Sequence, residues 1–186
     1  MRVLIVYATT EGQSKRIALR LHSDLAEAGY RPAVHNAAEG PFNLLDSFDA
    51  LIVIASVHHG AHQESMLTFI KSHLDKLQGL PGLFLSVSLS ALLPGPDHKA
   101  DVAKYIERFT LETGWQPRQC LPVAGAIHLL DMDYFRKELA KVILRQTLGK
   151  VELDLSHDQE FTEYDKLGRQ VKDFLDQFAS KSFEIG

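Results

Sequence analysis

Thr9-Thr10-Glu11-Gly12-Gln13-Ser14 packs three hydroxyl side chains and a glycine into six residues. An apolar run, Val3 to Tyr7, precedes it, and an amphipathic stretch follows at once. A strand that ends in such a turn and restarts as a helix converges several backbone N–H groups on one point. The helix N-terminus adds positive potential there. Thr9, Thr10 and Ser14 add hydroxyl donors, and no Lys or Arg lies between Tyr7 and Ser14. The chemistry this suits is capture of a phosphate monoester by neutral donors. A triphosphate loop would need GxxxxGK[ST], and a dinucleotide turn GxGxxG after the first strand; neither is present. The same residues have a plainer use, with Ser14 as a helix cap and Gly12 as a turn former.

Two further stretches carry small and hydroxylic residues. One is Ala55-Ser56-Val57-His58-His59-Gly60 and the other Ser86-Val87-Ser88-Leu89-Ser90-Ala91. Such residues let backbone approach a flat ligand, and Gly60 permits a turn that other residues disfavour. Together with the first turn they describe a site for a flat aromatic ligand with a phosphate tail. His58, His59 and His62 cluster, but adjacent histidines converge poorly on one ion and no Cys or Asp completes a set, so no metal is expected. His58 and His59 are instead candidates for proton handling beside the ligand. Cys120 sits in an apolar strand as a small core residue. Asp131 and Asp133 read as a solvated helix start, Glu11 as exposed, and Trp115 as a packing anchor.

The elements that must position these residues alternate. Strands are predicted at Arg2–Ala8, Arg31–Asn36, Ala50–Ala55, Gly82–Val87 and Pro117–Ala126. Helices are predicted at Ser14–Ala28, Ser65–Leu77, Asp97–Thr113 and Tyr164–Ala179, each with an apolar face. Continuously apolar strands between amphipathic helices specify a doubly wound α/β fold, a parallel sheet covered on both faces. Its ligand belongs beyond the carboxyl ends of the strands, where strands one and three diverge. One segment, His128–Phe161, exceeds an ordinary connection. It includes a predicted helix, Asp133–Leu148, with Phe135, Leu139, Val142 and Ile143 on one face. From Asp131 to Lys150 it holds five basic and three acidic residues. The acids interrupt the basic face, which favours packing on its own domain or a second copy of the chain over peripheral contact with a membrane surface.

The 186 residues fit one domain, and 45% hydrophobic content supports a full core. A net charge of −4 argues against nucleic acid as a partner. A single cysteine excludes an internal disulfide and fits a reducing compartment. With no signal peptide pattern and no run of membrane-spanning length, a cytoplasmic location is expected.

The first turn matches the (T/S)-x-x-G-x-(T/S) pattern, and the chain resembles the flavodoxin superfamily. It is most similar to the menaquinone-dependent protoporphyrinogen oxidase branch. The likeness rests on TTEGQS, ASVHHG, SVSL, Trp115-Gln116-Pro117 before Cys120, Val123-Ala124-Gly125-Ala126 and the long insertion. It implies five parallel strands in the order 2-1-3-4-5, with an insertion at about 128–161 between strand five and the last helix. It implies FMN as cofactor, with Thr9, Thr10, Glu11, Gly12, Gln13 and Ser14 around the phosphate. Ser56, Val57, His58, His59 and Gly60, with Ser86, Val87, Ser88 and Leu89, would border the isoalloxazine. Neither loop holds Trp or Tyr, so no aromatic sandwich is expected. The implied activity is oxidation of a porphyrinogen in heme biosynthesis, with a quinone as acceptor. The alternative within the superfamily is an electron carrier without an organic substrate of its own. A receiver domain of the same topology is rejected, because Ala8-Thr9 and Ala55-Ser56 stand where its acids are required.

Overall fold

A computed structural model describes residues 1–40, 42–127 and 158–179. The predicted helix at Asp133–Leu148 lies outside the described residues. The elements run β1 (Arg2–Ala8), α1 (Gln13–Glu27), β2 (Arg31–Asn36), β3 (Ala50–His58), β4 (Ala61–His62), α2 (Glu64–Ser72), α3 (Leu74–Leu77), β5 (Gly82–Ser88), α4 (Pro96–Thr113), β6 (Gln119–Ala124), β7 (Ala126–Ile127), β8 (Gln159–Glu160) and α5 (Tyr164–Ala179). The main sheet has the order β2-β1-β3-β5-β6, all parallel, with β4 folded back antiparallel on β3. This is the expected 2-1-3-4-5 topology, because β4 only extends β3 into a hairpin.

The strands are apolar on both sides because both faces are covered. Val3, Ile5, Ile52, Ile54, Leu83 and Leu85 meet Ile17, Leu21 and Leu25 of α1 and Leu167, Val171, Phe174 and Leu175 of α5. On the other face Leu4, Val6, Leu51, Val53 and Phe84 meet Met66, Phe69 and Ile70 of α2 and Phe109 of α4. Each such side chain contributes about 1.5–3 kcal/mol by leaving water. Trp115 is fully buried, the packing anchor expected of it. A Cβ on Gly82 would come within 2.5 Å of its ring.

Register positions the site. Ala8 pairs with Ala55, Ser56 with Val87, and Ser88 with Ala124. The carboxyl ends of four strands therefore form one row, and the turn after β1 opens beside it.

Several boundaries differ from expectation by one or a few residues, and at four elements the structure shows a local feature beside the difference. The helix after β1 starts at Gln13, because Gly12 takes φ +89° and is itself the N-cap, and it ends at Glu27, with Ala28 as its C-cap. The third strand runs on to His58, carried past Ala55 by its pairing with β4. The helix predicted over Ser65–Leu77 is two, broken at His73, whose ring nitrogen Nδ1 bonds the Phe69 carbonyl at 2.8 Å. The fifth strand ends at Ala124. A side chain at Gly125 would meet Val87 Cγ1 at 3.3 Å, and the chain leaves the main sheet to pair Ala126 with Glu160 and Ile127 with Gln159. The insertion's last residues, 159–161, are thus tied to the domain.

Candidate active site

The turn between β1 and α1 closes on itself before any ligand is considered. The Gly12 N–H donates to Thr9 Oγ1 at 2.8 Å, and the Arg16 N–H to the Gly12 carbonyl at 3.0 Å. Gly12, in the left-handed region, leaves α1 without a side-chain cap, and the first turn of the helix carries no acid. The first N–H groups of any helix lack intrahelical partners. Ser14 lies inside the helix, so it is not the cap; it is fully buried and its Oγ has no hydrogen-bond partner. An uncapped helix N-terminus beside an unpartnered buried hydroxyl is chemistry suited to a phosphate ester.

An open cleft lies next to this turn. Thr9, Thr10, Glu11 and Gln13 line one side, Ser56, Val57 and His58 a second, and Val87, Ser88 and Leu89 a third. Ten of the fifteen positions chosen from sequence therefore surround one cleft. Gly125 and Ala126, which the sequence offered only as part of a resembling motif, complete the wall. Gly12, Ser14, His59, Gly60 and Ser86 do not line it. Among the described residues no Trp, Tyr or Phe does either.

Those other positions still shape the site. His59 at φ +50° and Gly60 at φ +78° are the two central residues of the β3–β4 hairpin. Two left-handed residues in succession are what a two-residue type I′ turn requires. The rings of His58 and His59 are both exposed and lie 4.2 Å apart, edge to face. His62 turns away from them into the core, between Phe84 and Phe109, and its Nε2 shares a 3.0 Å hydrogen bond with Ser86 Oγ. Ser86 therefore anchors the hairpin from the α2–α4 side rather than facing the cleft. Burial pushes the His62 imidazole down to about 4, so it is neutral near pH 7. Among the described residues no three His, Cys, Asp or Glu converge as a metal site. Burial also raises the Cys120 thiol.

Several residues of the site carried no sequence signal. Gln63 Nε2 donates to Ser56 Oγ at 2.6 Å and to Thr10 Oγ1 at 3.4 Å, joining the first turn to the end of β3. Glu160 and Thr162 reach Gln13 from 147 and 149 residues away. No local pattern in the chain reports contacts of that separation.

A parallel five-strand α/β domain with an uncapped helix N-terminus at its switch point is the architecture of a flavin-binding redox fold. The chain belongs to the flavodoxin domain family, whose model matches residues 4–154. It is 25% identical over 173 residues to a protein of Escherichia coli K12 named protoporphyrinogen IX dehydrogenase [quinone], covering 93% of this chain and 94% of that one. A Leishmania major protein of the same name is 26% identical over 93% of this chain and 74% of its own length. Among solved structures, a flavodoxin of Streptococcus pneumonia TIGR4 shares the fold, with TM-score 0.53 and 17% identity over 97% of this chain and 99% of that one.

Proposed function

We propose that this chain is an FMN-dependent oxidoreductase that oxidises a porphyrinogen and delivers the electrons to a quinone. The observation that carries the reading is similarity along nearly the whole length to two proteins named for that activity. The cleft fits the cofactor on its own terms. Thr9, Thr10 and the N-terminus of α1 suit the phosphate, and Ser14 brings a buried hydroxyl lacking a partner. FMN supplies the redox chemistry when bound.

The chain's own residues bind, orient and expose it. Neutral donors at a helix N-terminus hold a dianion without a counter-charge. The β3–β4 hairpin and the end of β5 provide edges of backbone and small side chains against which a flat ring can lie. With His58 at the rim and no Trp, Tyr or Phe among the described residues of the wall, one edge of the ring would be open to a large donor. His58 is exposed and able to carry protons between a porphyrinogen and solvent.

The test is the visible spectrum of the purified chain, followed by anaerobic reduction with protoporphyrinogen and reoxidation with a menaquinone analogue. Flavin bands with turnover support the reading. Flavin that no porphyrinogen reduces would leave an electron carrier, and absence of flavin binding would overturn the cofactor itself.

A further inference from the structure

Gln13 is the first residue of α1, and only 5% of it is exposed. Its amide hydrogens are both consumed. Nε2 lies 2.7 Å and 2.9 Å from the two Glu160 oxygens and 2.8 Å from Thr162 Oγ1. Its oxygen accepts from Arg16 Nε at 3.0 Å. An amide NH₂ has two donors, so no hydrogen is left for a phosphate. The partners are themselves rooted beside the cleft. Thr162 Oγ1 donates to the Ala124 carbonyl at 2.7 Å, and the Phe161 N–H to the Gly125 carbonyl at 3.2 Å. The Thr162 N–H and the Tyr164 hydroxyl donate to Glu160 at 2.9 and 3.0 Å.

We propose that Gln13 is a positioning residue for the cofactor phosphate: clasped by Glu160 and Thr162, it fixes the first turn of α1 so that its N–H groups and Ser14 meet the phosphate, and the clasp thereby sets the preference for phosphorylated flavin. The inference rests on the FMN reading. Gly12 at φ +89° provides a swivel at the start of the helix, with no side-chain cap to restrain it. The clasp supplies the restraint from the far end of the chain. Burial alone would raise the Glu160 carboxyl, yet the bonds from Thr162, Gln13 and Tyr164 hold it below the usual range. The acceptor therefore stays ionised wherever the protein is folded near neutral pH.

The experiment titrates FMN and riboflavin separately into the full chain by flavin fluorescence. Q13A and E160A should each lower the ratio of FMN to riboflavin affinity about tenfold. The double variant should be no lower than either single one, because both remove the same clasp. E160Q, which keeps an acceptor for Gln13, should stay within about threefold of the parent. T162V keeps the side-chain shape and should fall about threefold, which preserves the test if Q13A folds poorly. An unchanged ratio in Q13A and T162V, equal weakening toward both flavins, or additive losses in the double variant would overturn the proposal while leaving FMN binding intact. A parent chain that binds neither flavin would overturn the cofactor reading and this inference together.

Discussion

Ser14 holds a hydroxyl with nothing to bond it in the unliganded chain, and this makes its two contributions separable. Removing the hydroxyl deletes no internal hydrogen bond, and Ala is the better helix former. Ser14→Ala should therefore leave the melting temperature of the flavin-free chain unchanged or slightly higher. Its FMN affinity should fall by about 1.5–3 kcal/mol, the size of a hydrogen bond to a charged group, with riboflavin affinity untouched. Calorimetric melting and flavin titration check the two halves; equal loss of both ligands would show that Ser14 serves only the helix. His59 presents the opposite case. Its φ of +50° is costly for a residue with a Cβ, on the order of 1 kcal/mol. His59→Gly should then be neutral to stabilising in urea unfolding, the relief partly offset by glycine's greater freedom when unfolded. Residue types marked the turn beside the cleft from sequence because its pattern is local. Glu160 and Thr162 were invisible because theirs depends on where the chain returns.

At the scale of the element, the β3–β4 hairpin joins the rim of the cleft to the core, through His58 on one side and His62 on the other. A base whose folded pKa is depressed is neutral in the fold and charges more readily once unfolded. Stability conferred by the neutral ring is therefore whole above its ordinary 6.5, declines as pH falls, and levels off near the folded value of about 4. The full difference is about 3 kcal/mol at 1.36 kcal/mol per unit. Urea unfolding between pH 7 and pH 4, compared for the parent chain and His62→Gln, should show the gap between them narrowing by that order across this window. A constant gap would mean that His62 does not titrate with unfolding. The hairpin also shows which elements were legible. The first two strands and the last helix stand at their predicted limits; the first strand and the last helix carry apolar runs or faces that are buried in the core. The sequence stopped the third strand at Ala55 because Ser56-Val57-His58 lacks the apolar run that marked it. His-Gly is also a weaker turn signal than Asn-Gly. The break at His73 was likewise unreadable, because it follows from one side-chain bond to the helix backbone.

For the whole molecule, the root of the insertion is the informative feature. Ile127 pairs with Gln159, so the chain leaves the domain and returns to it on adjacent strands. Replacing residues 129–157 with a short Asn-Gly-type turn should be compatible with that pairing. The shortened chain is expected to fold, stay yellow with FMN and retain its FMN-over-riboflavin ratio, while losing turnover of porphyrinogen. Absorbance spectra and anaerobic assays decide it; loss of flavin on deletion would place the segment in the cofactor site, and full turnover would remove it from substrate use. No helix among the described residues is long and apolar enough to cross a membrane. The contact between Gln13 and Glu160 also has a consequence for synthesis. The turn after β1 is synthesised 147 residues ahead of Glu160, its partner in the clasp, and α5, which seals one face of the sheet, follows Glu160. Such long-range closure is slow, and it exposes the unsealed face of the sheet until it occurs. Nascent chains halted before Gln159 should therefore hold no flavin, so that a coloured molecule reports a translation product carried through at least to the clasp.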